Sequence, residues 1–348
     1  MALVRRNLQS LGASDRVLDL VTAAHRTGTH SVYASHWSSW VKWCEDNNVN
    51  PTSPSSHMDL ARFLAFLQEK GKATSTLRVY RSAICTTLRQ LGYKDFSVEA
   101  LSLIRDTLKG ASNLEARNPR RCPSWDLFLV LDSLKAPPFE PLSKVDLKFL
   151  AFKTLFLVAL ASGRRMSEVN HFSGLSGDIA REPDGSFALK FLPEFLAKNQ
   201  RPGDPSPSIR IPPLPSGPDL KLCPVRSLKK YLQVTKSFRG KRRKLFIGLN
   251  PKFRSDLSVN ALSRWLRETI SIAYSSGPPP SARPHELRAW SSSLAFALNI
   301  SMTDIMEAAY WRSPSAFINH YLRDVTQCRQ DGTYGVSSLA ISQRTVTP

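Results

Sequence analysis

The sequence has no segment typical of a membrane span or a secretory signal. Among its 348 residues, the longest apolar run covers 149–161 and is interrupted by Lys153. It falls short of the roughly 18–20 residues that a membrane-spanning helix needs. Basic residues near the N-terminus are not followed by an apolar segment, so no secretory signal is predicted. We therefore expect no membrane partner.

Cysteines and closely spaced metal ligands are also scarce. The five cysteines are odd in number, lie far apart and form no C-x-x-C pair, which argues against a zinc finger or a disulfide framework. Free thiols in a reducing compartment fit this usage. The seven histidines are scattered without the spacing of a metal site. We expect no metal and no cofactor.

Acidic residues are few relative to basic ones. The chain has 28 Asp and Glu against 48 Lys and Arg, a formal net charge of +20. Such an excess predicts a polyanionic partner, with nucleic acid favoured over a membrane surface. The hydrophobic content of 42% supports a packed core, which excludes a wholly disordered basic chain. The length suggests two domains.

The first part of the chain has the apolar spacing of helices. Four helices are predicted, ending at the segment 47–51, Gly71, Gly92 and Gly110. They indicate an N-terminal helical bundle, placed as one domain over 1–110. Residues 111–123 are polar and basic and hold two prolines, which predicts a linker.

The second part has a mixed pattern and is predicted as one domain over 124–325, followed by a tail over 326–348. Strands are expected at 186–192 and 208–211, with a possible strand at 244–247. Helices are expected at 124–134, 143–161, 224–233, 258–274, 284–298, 301–309 and 314–322. The predicted fold class is mainly α with a small β-sheet, in which the second domain is mixed α+β.

Four segments of the second part carry reactive side chains. In chain order they are G-R-R-M-S-E-V over 163–169, Lys198 in the loop between two strands, H-E-L-R over 285–288, and a last segment with Trp311 and Tyr321. Two arginines can bind one phosphodiester through paired hydrogen bonds. A loop lysine can protonate a leaving oxygen, and a histidine can take a proton. A tyrosine can form a covalent phosphoenzyme without a metal.

Taken singly, each of these residues has an ordinary explanation. Arg165 and Glu168 are spaced as a helix-surface ion pair, and Tyr321 competes with Tyr310 and Tyr334 as the nucleophile. Their occurrence together, in this order, in one basic chain favours a site for DNA chemistry.

These motifs, in this order, resemble the tyrosine recombinase (phage-integrase-like) family. Three segments of the chain are similar to recombinases of DIRS-like or crypton-type mobile elements of eukaryotes. Their sequences are L-C-P-V-R-S-L-K-K-Y-L, R-P-H-E-L-R-A-W and A-Y-W-R-S-P-S-A-F-I-N-H-Y. The resemblance implies a helical core-binding domain followed by a catalytic domain. It covers roughly residues 20–325.

The resemblance also implies a role for each matching residue. Arg165 and Arg288 would clamp the phosphate, and Lys198 would be the general acid. His285 would handle the proton and Tyr321 would be the nucleophile. Two further residues complete the set: Glu168 would orient Arg165, and Trp311 stands where many members have histidine. An indole N–H donates one hydrogen bond but cannot transfer a proton.

The expected partner is double-stranded DNA. Candidate DNA contacts are Arg78 and Arg81 on the third helix, Arg117 and Arg120 in the linker, and Arg242 and Arg243 in a basic run over 241–244. That run also resembles a nuclear localisation signal. The resemblance implies a monomer in solution and a tetramer in the synaptic complex. The expected location is the nucleus in a eukaryotic host, and otherwise the cytoplasm with the DNA.

The predicted function is a site-specific DNA recombinase or integrase of a mobile element, which cleaves and rejoins strands through a 3′-phosphotyrosyl intermediate. One alternative is a domesticated, catalytically inactive DNA-binding module. The other is a DNA-relaxing enzyme similar to type IB topoisomerases, which uses the same chemistry on a single duplex. A covalent-adduct assay distinguishes the recombinase from the first alternative. A two-duplex joining assay distinguishes it from the second.

Overall fold

The structure divides into two compact units, Met1–Asn118 and Pro119–Pro348. The computed structural model describes residues 2–24, 27–54, 57–93, 98–115, 124–198, 200, 203–250, 256–274 and 281–323. These residues are mostly helical and include one small antiparallel sheet, which confirms the predicted fold class. No helix in the described ranges is both long and apolar enough to cross a membrane.

The described part of the first unit is entirely helical in its regular structure. Two helices at its start were not predicted, and the four predicted ones are present. Its helices are α1 (Ala2–Ser10), α2 (Asp15–Ala23), α3 (Thr27–Asp46), α4 (His57–Glu69), α5 (Thr74–Gln90) and α6 (Val98–Leu114). The core lies between α3, α4, α5 and α6 and contains Trp40, Phe63, Leu77 and Ile104.

The last helix of this unit is longer than the sequence predicts. The expected end was Gly110, but α6 continues to Leu114. A glycine inside a helix costs only about 1 kcal/mol relative to alanine, and Ala111 is buried in the core of the unit. Packing of Ala111 therefore outweighs the weak helix-breaking effect of Gly110.

The described residues of the second unit form eight α-helices and three short strands around a larger core. The helices are α7 (Leu127–Leu134), α8 (Leu147–Ser162), α9 (Met166–Val169), α10 (Pro224–Thr235), α11 (Val259–Ala273), α12 (Pro284–Ala297), α13 (Met302–Ala309) and α14 (Pro314–His320). The strands are β1 (Ile179–Arg181), β2 (Phe187–Leu189) and β3 (Ile209–Ile211), in the order β1-β2-β3.

The sheet differs from the prediction in two ways. Strand β1 was not predicted, because its residues are largely exposed and show no apolar alternation; it pairs antiparallel with β2, with Ile179 opposite Leu189. The possible strand at 244–247 was wrong. That segment forms only isolated bridges, between Ser173 and Lys244 and between Ile247 and Asp256. The two predicted strands are present as β2 and β3, which pair antiparallel.

Helix α8 passes through the centre of the second unit and positions the start of the site. Every residue from Leu150 to Ser162 is buried, and the helix packs against α10, α11, α12 and β3. It ends at Gly163, which has a φ of 58°, a left-handed conformation that glycine adopts without steric cost. The chain therefore turns sharply and directs Arg164 and Arg165 towards α12.

A buried ion cluster lies on α8. Lys153 Nζ is 2.5 Å from Glu140 Oε1, and Arg226 Nη1 is 2.6 Å from the same oxygen. Burial lowers the pKa of Lys153 to about 8. Burial alone would raise the pKa of Glu140, but the hydrogen bonds from Arg226 and Lys153 outweigh it and lower that pKa. Glu140 therefore neutralises two cations at the core.

We expect Glu140→Gln to reduce the free energy of unfolding by about 3–5 kcal/mol, because a buried charge that loses its partner is strongly destabilising. Urea unfolding of the full chain, followed by circular dichroism, measures the change. Glu268→Gln is the matched control, since Glu268 pairs with Lys148 at the surface and such pairs contribute little. Equal stability of the two variants would contradict the prediction.

Candidate active site

The first part of the site lies at the start of α9, directly after the turn at Gly163. The Arg165 backbone N–H donates to Glu168 Oε2 at 3.2 Å, and Arg165 Nη1 donates to Glu168 Oε1 at 2.8 Å. The Glu168 side chain is 1% exposed, whereas that of Arg165 is 20% exposed. A buried carboxylate thus holds a guanidinium that still reaches the surface.

Arg288 reaches the same carboxylate from α12. Pro284 occupies the first turn of this helix, where its missing N–H costs nothing. One turn later, Arg288 Nη1 lies 3.6 Å from Glu168 Oε2 and Nη2 donates to the Ala309 carbonyl at 2.6 Å. Burial, together with the charge of Arg165, lowers the pKa of Arg288 to about 10. Glu168 therefore joins two arginines that are far apart in the sequence.

The rings of Trp311 and Tyr321 complete this cluster. The Arg288 guanidinium lies 4.6 Å from the Trp311 ring centroid and 5.1 Å from that of Tyr321. The two rings are 5.0 Å apart. The Tyr321 backbone is held by Ser293, whose hydroxyl donates to the Tyr321 carbonyl at 3.1 Å. Tyr321 is thereby held against Arg288 at the end of α14.

Lys198 and His285 lie outside this set of contacts. Lys198 is exposed in the loop between β2 and β3, and His285 is exposed in the first turn of α12. Neither side chain makes a hydrogen bond or an ion pair with a residue that the structure describes. The structure brings Arg165, Glu168, Arg288, Trp311 and Tyr321 together, and the proposed acid and base remain predictions.

Arg164 is a component of the cluster that the sequence did not identify. It is 6% exposed, and its guanidinium lies 5.3 Å from the Tyr310 ring centroid. Burial lowers its pKa, while the charge of Glu168 acts in the opposite direction. The only signal in the sequence was the arginine pair Arg164-Arg165, and one residue of such a pair commonly faces solvent.

The cluster has more hydrogen-bond donors than acceptors. Buried atoms without a hydrogen-bond partner in the described part of the chain include Nε and Nη1 of Arg164, Nε of Arg288 and Nε1 of Trp311. Buried donors without partners are rare in native structures because each costs about 1–3 kcal/mol. Arg165 and Arg288 share one carboxylate, that of Glu168. An anion with several acceptor oxygens would satisfy this arrangement.

Comparison with known proteins identifies the fold. No protein-family model and no curated protein sequence matches the chain. It is similar to lambda integrase in a dimer bound to a COC′ core site, with 17% identity and a TM-score of 0.51 over 93% of this chain and 79% of that chain. A dimer of lambda integrase residues 75–356 on a COC′ core site gives 15% identity and a TM-score of 0.50 over 93% and 97% of the two chains. The chain has the tyrosine recombinase fold.

Two of the arginines predicted to contact DNA line a groove in the first unit. In the first unit, Arg78 and Arg81 line a groove of about 630 Å³ between α5 and α6, which Arg105 and Lys109 also line. Arg78 is exposed, and the buried Nε of Arg81 has no hydrogen-bond partner among the residues described. The groove therefore concentrates positive charge from two helices.

The other predicted DNA contacts have different surroundings. Arg242 is 6% exposed and donates to the Phe238 carbonyl at 2.7 Å, which binds it to its own loop. Arg243 is exposed and donates to Glu194 at 2.9 Å. Arg117 and Arg120 lie outside the described residues. Among the residues that are described, no group of His, Cys, Asp and Glu side chains could hold a metal ion.

Proposed function

We propose that this protein is a site-specific DNA recombinase that breaks and rejoins strands through a tyrosyl–DNA intermediate. The observation that carries the proposal is the cluster of Arg165, Arg288 and Trp311 around Tyr321, in which buried donors exceed acceptors. A phosphodiester supplies the missing acceptor oxygens and negative charge. The tyrosine recombinase fold and the net charge of +20 agree with DNA as the substrate.

The arginines and the tryptophan would bind the scissile phosphate. Arginine binds phosphate oxygens through paired donors, so Arg165 and Arg288 can hold the two non-bridging oxygens. The Glu168 carboxylate sets the relative orientation of the two guanidinium groups, and its negative charge offsets their mutual repulsion. Trp311 Nε1 would donate one further hydrogen bond. These fixed donors stabilise the charge that develops at phosphorus as the nucleophile attacks.

The reaction would exchange one phosphoester bond for another. The Tyr321 phenolic oxygen attacks phosphorus, and its proton passes to His285. The bond between phosphorus and the 5′-oxygen breaks, and the Lys198 ammonium protonates that oxygen. The products are a 3′-phosphotyrosyl bond and a free 5′-hydroxyl. A 5′-hydroxyl of a partner strand then attacks the phosphotyrosine and restores the phenol.

The wider biological role is also a proposal. The wording of the sequence around the site supports an integrase of a DIRS-like or crypton-type mobile element. Exchange between two duplexes needs four strand cleavages, which supports a tetramer on DNA. In the absence of DNA, the proposed state of the protein is a monomer. If the host is eukaryotic, the DNA substrate implies a location in the nucleus.

Covalent trapping on DNA tests the proposed function. The full chain is incubated with a library of randomised duplexes that carry nicks, so that a released short strand cannot religate. We expect a protein–DNA adduct that survives denaturation, with protein on the 3′-phosphate side of one preferred sequence. DNA binding without any adduct would indicate an inactive binding module. Relaxation of supercoiled DNA without joining of two duplexes would indicate a topoisomerase.

A further inference from the structure

In the loop between β2 and β3, the side chain of Gln200 joins the described residues on its two sides. This side chain is buried, with a residue exposure of 6%. Its Oε1 accepts from the Ala197 N–H at 3.1 Å, and its Nε2 donates to the carbonyls of Asp204 and Pro205 at 3.1 and 3.4 Å. Lys198 stands next to Ala197, so Gln200 holds the backbone beside it while the lysine side chain stays exposed.

The same loop is attached to the segment that carries the nucleophile. Arg312 Nη2 lies 3.5 Å from Asp204 Oδ2. Arg312 follows Trp311, whose ring lies 5.0 Å from that of Tyr321. The Asp204–Arg312 ion pair therefore joins the loop of Lys198 to the aromatic cluster of the site. Both side chains are partly exposed, at 35% and 52%, so the pair contributes little to overall stability.

We propose that Gln200 and the Asp204–Arg312 pair are positioning residues for Lys198. A general acid acts only within hydrogen-bond reach of the oxygen that it protonates, and the long lysine side chain does not fix its own ammonium. Gln200 sets the shape of the loop, and the ion pair sets where the loop lies relative to Tyr321. This inference rests on the proposed function, in which Lys198 protonates the leaving 5′-oxygen.

The test compares two substrates in single-turnover cleavage by the full chain at saturating DNA. One substrate has the ordinary 5′-oxygen at the scissile bond, and the other has a bridging 5′-sulfur. A thiolate leaves without protonation, so the second substrate does not need the acid. Lys198→Ala should slow cleavage of the first substrate by about 100-fold or more, in the range of general-acid effects, and cleavage of the second only slightly.

The positioning variants should show the same selectivity with smaller losses. We expect Gln200→Leu and Asp204→Lys each to slow cleavage of the oxygen substrate by about tenfold, a fraction of the full general-acid effect. Cleavage of the sulfur substrate should stay within about twofold, because no acid is needed there. Combining Asp204→Lys with Arg312→Asp restores opposite charges and should recover much of the lost rate. Glu268→Lys reverses one charge of the exposed Lys148–Glu268 pair and should leave the cleavage rates of both substrates unchanged.

Three results would overturn the proposal. Equal slowing of both substrates by Gln200→Leu and Asp204→Lys would mean that these residues act on folding or on the phosphate clamp. Failure of the charge exchange to recover activity would remove the ion pair from the inference. If the sulfur substrate does not rescue Lys198→Ala itself, the general acid is misassigned and the positioning role fails with it, whereas a wild-type adduct would still support the recombinase function.

Discussion

Replacing Tyr321 by phenylalanine is expected to abolish the covalent protein–DNA adduct while DNA binding remains. The substitution removes only the phenolic oxygen. The ring keeps its contacts with Trp311 at 5.0 Å and with Arg288 at 5.1 Å. Because the oxygen is the atom that would bond to phosphorus, no other group of the aromatic cluster can replace it. Denaturing gels of a nicked substrate measure the adduct, and binding is measured separately at equilibrium.

Two other tyrosines provide the controls. Tyr310→Phe preserves the ring beside Arg164 and should trap DNA at the native level. Tyr334→Phe tests the other tyrosine that the sequence offers as a nucleophile, and this variant should also form the covalent adduct at the native level. An adduct of native amount in Tyr321→Phe, together with its loss in either control variant, would transfer the nucleophile role to that tyrosine.

Replacing Arg288 by lysine should lower the single-turnover cleavage rate by about 100- to 1,000-fold, the range found when one donor to a developing negative charge is removed. Lysine lacks the planar set of donors with which Arg288 contacts both Glu168 and the Ala309 carbonyl. The rate is measured at saturating DNA, so that the loss reports the chemical step. Circular dichroism checks that the variant folds.

A second arginine separates the chemical effect from a folding effect. Arg165 is more exposed than Arg288, so Arg165→Lys should fold normally and still lose a similar factor in rate. Arg78→Gln, in the groove of the first unit, gives the opposite pattern. It should weaken binding and reduce its salt dependence, with little change in cleavage at saturating DNA. Normal cleavage by both Arg165→Lys and Arg288→Lys would contradict the proposed phosphate clamp.

Much of the helical architecture was readable from local patterns. Apolar spacing and the helix ends predicted at 47–51, Gly71 and Gly92 placed α3 to α6 correctly, apart from the end of α6. Periodicity failed where burial is weak or pairing is non-local. Helices α1 and α2 have only nine residues each, and strand β1 has three, so their apolar patterns are short. The segment 244–247 is apolar but finds no continuous strand partner.

Three of the candidate residues were recognisable because they belong to short motifs. G-R-R-x-S-E and H-x-L-R carry their information within one helical turn, so the sequence identified Arg165, Glu168 and Arg288 as candidates. It did not indicate that one carboxylate contacts both arginines. That contact depends on the turn at Gly163 and on the packing of α8 against α12, which bring distant segments together.

The sequence by itself determined the helical class, the change of apolar pattern between the two parts of the chain, and the candidate reactive groups. Tertiary structure decided which of those groups meet. Burial makes Arg164 and Arg288 short of acceptors, and it turns Arg242 towards its own loop. Gln200 and the Asp204–Arg312 pair had no signal in the sequence. The Gln200 amide bonds the backbone of an irregular loop, and the ion pair joins residues 108 positions apart; neither leaves a periodic pattern. Long-range packing therefore defines the site, while local propensity defines the elements that carry it.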